Sequence, residues 1–381
     1  MKVNHLRLTN FKCFRDFEID LHDEFTLLVG NNGSGKSTIL DGLAIGLGSF
    51  FLGMEGGTAK SIHRDDVRFE TFEIGSRLDR QIQYPSRIEC KGIVAGKHLG
   101  WARSLNSEKG NTTYGDAGKL VEISKKLANQ VRKGDANTLL PFLSYYGTGR
   151  LWAQKKEKRE ATQIDLMNRN AGYADCLDAR SNDKLMYKWF EQMTFQELQG
   201  GEEIPELSAV KKAILQCFNG ENGTDTLGKA SQCVFNVKTG EIEITHFIPG
   251  KAPEVHSLRE MSDGYRNMLS MVADIAYRMA VLNPQLLDRV TEETEGVVLI
   301  DEIDLHLHPS WQRRIVGDLR RIFPKVQFVA TTHAPSVISS VRSESVILLE
   351  EYRPITAPFV TYGKDVNTIM QTVMGVPERQ D

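Results

Sequence analysis

Gly30-Asn31-Asn32-Gly33-Ser34-Gly35-Lys36-Ser37 fits the pattern GxxxxGK(S/T), and its setting constrains this chain more than any other feature. The apolar run Phe25–Val29 precedes it, reading as a buried strand. Behind it Ile39, Leu40, Leu43 and Leu47 recur at helical spacing. Strand, glycine-rich turn and helix in that order form a cradle for phosphate. Asn31, Asn32, Gly33, Ser34 and Gly35 supply a turn whose backbone N–H groups can face a β-phosphate, and the helix N-terminus adds its positive end. Lys36 is then placed to bridge the β- and γ-phosphates, and the Ser37 hydroxyl to ligate Mg²⁺. Kinases, GTPases and many ATPases share this much.

Three later stations narrow the choice. Val297–Ile300 is an apolar strand ending in Asp301 and Glu302, and a strand buried on both faces delivers its last side chains to the sheet edge where phosphates sit. Asp301 is read as holding Mg²⁺ through water, and Glu302 as accepting the proton of an attacking water. The strand Gln327–Thr332 runs into His333, whose imidazole can hydrogen-bond a γ-phosphate. Met261-Ser262-Asp263-Gly264-Tyr265 opens a helix that runs to Leu282, with Ser262 as N-cap and Gly264 allowing close backbone approach. A capped helix end is already an anion site, here for a phosphate belonging to another molecule.

Around these stations the pattern alternates strand and helix. Strands are expected at 3–8, 14–21, 87–94, 99–105, 141–146, 233–237, 241–247 and 345–349, with helices at 119–133, 264–282 and 311–322. Residues 53–80 give few periodic cues. Residues 153–219 read as a polar-rich helical insertion, without sustained heptads and so without a long coiled coil. With 47 Lys and Arg against 50 Asp and Glu, the net charge of −3 excludes a globally basic nucleic-acid coat. No run approaches the ~18 apolar residues of a membrane span, and the first residues lack a secretory pattern, so a cytoplasmic protein is expected. Five scattered cysteines without a CxxC pair argue against a disulfide framework or a structural zinc site.

GNNGSGKST (30–38), MSDGY (261–265), VVLIDE (297–302) and TTH (331–333), in this order, resemble the ABC-type ATPase head. The opening LRLTNFKCF and DEIDLHLHP (301–309) look like its SMC/RecF/OLD-like branch. YYGTGRLW (145–152), MSDGYRNMLSMVADIAYRMAVLNP (261–284) and LIDEIDLHLHPSWQ (299–312) are similar to bacterial ATP-binding proteins related to the ATPases of anti-phage systems, of Septu and retron-associated type.

The resemblance implies an α/β head, with a parallel P-loop core sheet and an antiparallel N-terminal sheet, divided into an N-lobe (1–152), the helical insertion (153–219) and a C-lobe (220–381). It implies ATP and Mg²⁺ as cofactors, with Gly33, Gly35, Lys36, Ser37 and Thr38 on ATP and Ser37 and Asp301 around Mg²⁺. Glu302 becomes the catalytic base and His333 the switch residue, while Ser262 and Gly264 contact the γ-phosphate of a second protomer. A homodimer or higher homo-oligomer follows, with ATP at the interface. The sequence departs from the pattern twice: Asp263 stands within the signature, and SYYGTGRLW has no Q-loop glutamine, which leaves Arg150 either to contact the nucleotide or to couple it to the helical insertion.

No second catalytic constellation is present, so a separate effector protein, a nuclease or toxin docked on 153–219 or on the dimer face beside them, is the expected partner. The alternative is a DNA repair or recombination ATPase acting on DNA directly. The basic residues at 119–133 and 155–159 leave nucleic-acid contact open. His306 and His308 read as an interface or structural pair rather than a metal site.

Overall fold

A computed structural model describes residues 1–151, 168–179, 183–221, 228–248, 250–356 and 360–372. In chain order the elements are β1 (Lys2–Phe11), β2 (Phe14–Asp20), β3 (Phe25–Gly30), α1 (Lys36–Gly48), β4 (Phe69–Ile74), β5 (Arg77–Ile82), β6 (Ser86–Val94), β7 (Lys97–Leu105) and α2 (Gly118–Arg132). Then come β8 (Phe142–Tyr146), α3 (Asp183–Gly200), α4 (Pro205–Asn219), β9 (Lys229–Asn236), β10 (Glu241–Phe247), β11 (Glu254–Ser257), α5 (Asp263–Leu282) and α6 (Val290–Glu293). The last are β12 (Gly296–Ile300), α7 (Pro309–Gln312), α8 (Ile315–Ile322), β13 (Val326–Thr332), α9 (Pro335–Ile338), β14 (Val346–Glu350), β15 (Arg353–Thr356) and α10 (Val366–Thr372). They form two compact units, one of residues 1–138, 297–303 and 327–381, the other of 139–296 and 304–326.

The first unit holds the phosphate loop. Its core sheet runs in the order β15-β14-β3-β13-β12. β3 lies parallel to both β13 and β14, with Phe25 opposite Phe328 and Leu27 opposite Val346. Burial on both faces explains why these strands are mostly apolar, and the buried polar members Thr26, Gln327 and Thr331 are hydrogen-bonded. The antiparallel sheet β2-β1-β6-β7 lies in the same unit. A buried glutamine joins the two: Gln327 donates to the carbonyls of Val3 and His22 at 2.7 and 2.9 Å and accepts from the Val3 N–H at 2.8 Å. Helix α1 packs on the antiparallel sheet through glycine. A Cβ at Gly42 would stand 2.7 Å from the Leu8 side chain, and one at Gly46 would stand 2.5 Å from the Cys90 sulfur. Trp101 donates its indole N–H to the Gly46 carbonyl at 2.9 Å.

The hairpin β4–β5 was not legible in the sequence. Phe69, Phe72, Ile74 and Leu78 are all exposed, so its apolar residues follow no buried face. The Arg80 guanidinium lies over the Phe69 ring at 3.3 Å.

In the second unit the part of the expected insertion that is described contains a 3-10 turn at Arg169–Tyr173, then α3 and α4. The remainder, with Trp152 and the side chain of Arg150, lies outside the described residues. Arg278 of α5 is buried, donating to Asp274 at 2.8 Å and to the carbonyls of Gly172 and Ala174, while the Tyr146 hydroxyl donates to Asp274 at 2.7 Å. The helix expected over 311–322 is two helices. Arg314, at the break, gives its guanidinium to the Cys217 and Phe218 carbonyls at the end of α4 and stacks on Trp311. The longest helix among the described residues is α5, with 20 residues, and none is long and apolar enough to cross a membrane.

The five cysteines are free thiols, and burial pushes Cys90, Cys176 and Cys233 up to about 12, making them inert packing residues. Replacing Gly46 by Val should lower unfolding free energy by about 1–3 kcal/mol, the usual cost of overpacking. Urea denaturation reads it. Unchanged stability would mean α1 does not rest on this sheet through Gly46.

Candidate functional site

The loop between β3 and α1 has the conformation its glycines permit. Gly33 and Gly35 adopt φ of 81° and 98°, in the left-handed region that disfavours side chains. At Gly35 a Cβ would also meet the Phe14 ring at 2.4 Å, so the start of β2 closes over the loop. Lys36 curls inward, its ammonium donating to the carbonyls of Gly30 at 2.8 Å and Asn31 at 3.0 Å. Burial pulls the Lys36 pKa below its ordinary value, and Asp301 and Glu302 oppose that pull. The Ser34 hydroxyl is buried with no hydrogen-bond partner among the described residues, as a polar atom awaiting a ligand oxygen would be. Beside the loop a cavity of about 520 Å³ opens between Gly30–Ser34 and Leu348–Tyr352.

The acidic strand meets this loop from below. Asp301 is buried, and its Oδ1 accepts from the Ser37 hydroxyl at 3.1 Å and from the Thr331 hydroxyl at 2.7 Å. Thr331 in turn accepts from the backbone N–H of Glu302 at 2.7 Å, and the Ile303 N–H donates to the Thr331 carbonyl. Three contacts from one threonine thus hold the turn after β12. That turn is strained: Glu302 has φ of 49°, rare for a residue with a side chain and typical of positions fixed by function. Glu302 is half-buried, and so is His333 at the end of β13. Ser37 and Asp301 offer two hard oxygen donors within 3.1 Å of each other beside the loop, a donor set that fits Mg²⁺ completed by water and phosphate.

In the second unit Ser262 occupies the N-cap of α5 but makes no capping hydrogen bond, and both Ser262 and Asp263 are exposed. The Asp263 carboxylate is paired with Arg266 at 2.7 Å, which offsets the negative charge in the signature. Gly264 has a use within the chain: a Cβ there would stand 2.5 Å from the His306 carbonyl. Asn267 donates to the Leu305 carbonyl at 2.9 Å, so α5 fixes the 304–308 loop. His308 caps α7 through Nδ1, which accepts from Ser310, and His306 is exposed at φ of 61°.

Two contributors escaped the reading of the sequence. Thr331 carries no motif signal beyond a pair of threonines before a histidine. Lys12 lies in the turn between β1 and β2 and bonds Asp41 and Asp66; burial opposes its charge, yet those carboxylates hold its pKa above the ordinary value. Next to it Cys13 donates its S–H to the Thr38 hydroxyl at 3.8 Å. The segment KCF at 12–14 therefore borders the nucleotide cradle, which its spacing from Lys36 does not suggest.

A P-loop after β3 of a parallel sheet, with an acidic pair after β12, separated from β3 by β13, defines an α/β P-loop ATPase. The chain belongs to the AAA-domain family, whose pattern matches residues 5–219; a second family, "AAA domain, putative AbiEii toxin, Type IV TA system", matches residues 201–339. It is 25% identical to "Retron Vc95 probable ATPase" of Vibrio cholerae serotype O1 biovar El Tor, over 98% of this chain and 79% of that protein. It is 26% identical to "Retron Ec83 probable ATPase" of Escherichia coli, over 100% of this chain and 77% of that protein. Septu protein PtuA of Bacillus mycoides (strain KBAB4) is 42% identical over 26% of this chain and 14% of its own length. An SMC head solved with the C-terminal winged-helix domain of ScpA shares the fold, at a TM-score of 0.53 and 14% identity over 93% of this chain and 96% of that one. The chain is thus an AAA-domain ATPase similar to retron ATPases over its whole length and to PtuA over about a quarter of it, with the fold of an SMC head.

Thr331→Val keeps the shape and removes the hydroxyl that Asp301 and Glu302 share. ATP turnover should fall at least tenfold with nucleotide affinity nearly unchanged, and stability should drop by about 1–3 kcal/mol for the unpaired buried groups. Turnover equal to wild type would show that the turn needs no such anchor.

Proposed function

We propose that this protein is a cytoplasmic, Mg²⁺-dependent ATPase that closes into a head-to-tail homodimer on ATP and thereby controls a separate effector, a nuclease or toxin, in anti-phage defence. In this reading Asn31, Asn32, Gly33, Ser34, Gly35, Lys36, Ser37 and Thr38 hold the nucleotide, and Ser37 and Asp301 hold Mg²⁺. Glu302 takes the proton of the attacking water. His333 senses the γ-phosphate, and Ser262 and Gly264 bind that of the partner copy. The observation that carries the reading is the Ser37–Asp301–Thr331 chain at the foot of the P-loop, which brings phosphate, metal and base chemistry to one edge. Support for the trans contact comes from Ser262, exposed at a helix start with its hydroxyl not used as a cap.

The effector is proposed to dock on residues 153–219, between the N-lobe (1–152) and the C-lobe (220–381). On α3 Phe195 and Leu198 are exposed, at 42% and 68%, and apolar surface of this kind suits a protein partner. The likeness to retron ATPases and PtuA supports the defence role. Tight binding of DNA ends by the purified chain alone would favour the repair reading.

Lys36→Ala should lose ATP binding, measured by calorimetry, because the cation on the β/γ-phosphates is gone. Glu302→Gln should bind ATP and hydrolyse it about 10²–10⁴-fold more slowly. Mixing Lys36→Ala with Ser262→Arg chains tests the composite site: one interface takes both lesions and the other neither, so activity should return although each parent is inactive. No recovery in demonstrated mixed dimers overturns the trans contact.

A further inference from the structure

The three-stranded antiparallel sheet β11-β10-β9 carries a group of side chains that the ATPase chemistry leaves unused. His246 of β10 is directly opposite Glu254 of β11, and His256 follows Glu254 by two residues. Alternation along a strand puts Glu254 and His256 on one face, and the register puts His246 on that same face. His246 is fully buried against Phe218, with ring centroids 5.7 Å apart, while His256 and Glu254 have side chains 43% and 41% exposed. The two imidazoles lie 5.1 Å apart and nearly parallel, and His256 Nε2 is 3.4 Å from the Glu254 carboxylate.

We propose that His246, Glu254 and His256 form a binding site for a divalent transition-metal ion of the zinc class. One ligand atom from each residue lies within 4.8 Å of the others. Bonds of about 2.0–2.1 Å to a tetrahedral ion set ligand atoms about 3.4 Å apart, so closure needs these atoms to approach by up to about 1.4 Å and the His256 ring to turn out of its near-parallel stack, because an imidazole binds a metal in its own plane. The two half-exposed side chains on the edge strand can supply it by side-chain rotation, with His246 as the fixed member. Two imidazoles and one carboxylate select zinc-like ions over Mg²⁺, which prefers six oxygens. The exposed side of His256 and Glu254 leaves the fourth position to water. β11 is only four residues long and leads, six residues past His256, to Ser262. An ion here would pin that edge strand to β10 in front of the signature.

The full-length protein, free of any histidine tag, is stripped with chelator and titrated with Zn²⁺ and separately with Co²⁺, in excess Mg²⁺ so that oxygen sites are filled. The wild type should take up one equivalent of Zn²⁺ with micromolar or tighter affinity, gain thermal stability from it, and give Co²⁺ the intense visible bands of four-coordination. Glu254→Gln and His256→Gln, both on half-exposed positions that should fold normally by circular dichroism, should each weaken Zn²⁺ binding at least about tenfold, since even outer partners of metal ligands are worth 10–100-fold. His246→Ala should abolish it where it folds. A wild type that binds no Zn²⁺ under these conditions overturns the site, as do the two folded variants binding it like wild type.

Discussion

One carboxylate oxygen, Oδ1 of Asp301, joins the start of α1 to the end of β12 and the end of β13, because it accepts from Ser37 and from Thr331 at once. The candidate site residues Ser37 and Glu302, with Thr331 between them, are arranged around that atom. The serine would ligate Mg²⁺, the aspartate would steady it, and the next residue, Glu302, is held in a left-handed backbone conformation by the same threonine. Such a conformation costs of order 1–3 kcal/mol and persists only where neighbours enforce it. The enforcement comes from parallel strands buried on both faces, whose rigid tips present these groups at a single edge.

The second unit applies the same economy to the signature. Gly264 has no room for a side chain because the His306 carbonyl approaches it, and Asn267 fastens the neighbouring carbonyl. The backbone of 304–308 is therefore tied to α5. The Arg266 partner of Asp263 explains how a carboxylate is tolerated in a motif proposed to meet phosphate: the pair presents little net charge.

Local features were readable from the sequence and distant ones were not. The P-loop, the strand before it and the helix after it occupy 24 consecutive residues from Phe25 to Gly48, and their order alone identified a phosphate cradle. The acidic strand was equally plain. Thr331 was missed because its role depends on β13 lying next to β12, which no spacing encodes, and Lys12 because its partners Asp41 and Asp66 are brought near only by the fold. The β4–β5 hairpin was missed for a different reason: its apolar residues face outward, so the burial alternation that marks a strand is absent. Gly264 was foreseen as a close-approach glycine, but what approaches within the chain is the His306 carbonyl.

Two copies of this chain are proposed to share each nucleotide. Native mass spectrometry of the Glu302→Gln protein with Mg²⁺ and ATP measures it directly. A species of two chains carrying two nucleotides should form with ATP and be absent with ADP. A single chain holding one ATP at concentrations that saturate the site, with no two-chain species, would contradict it.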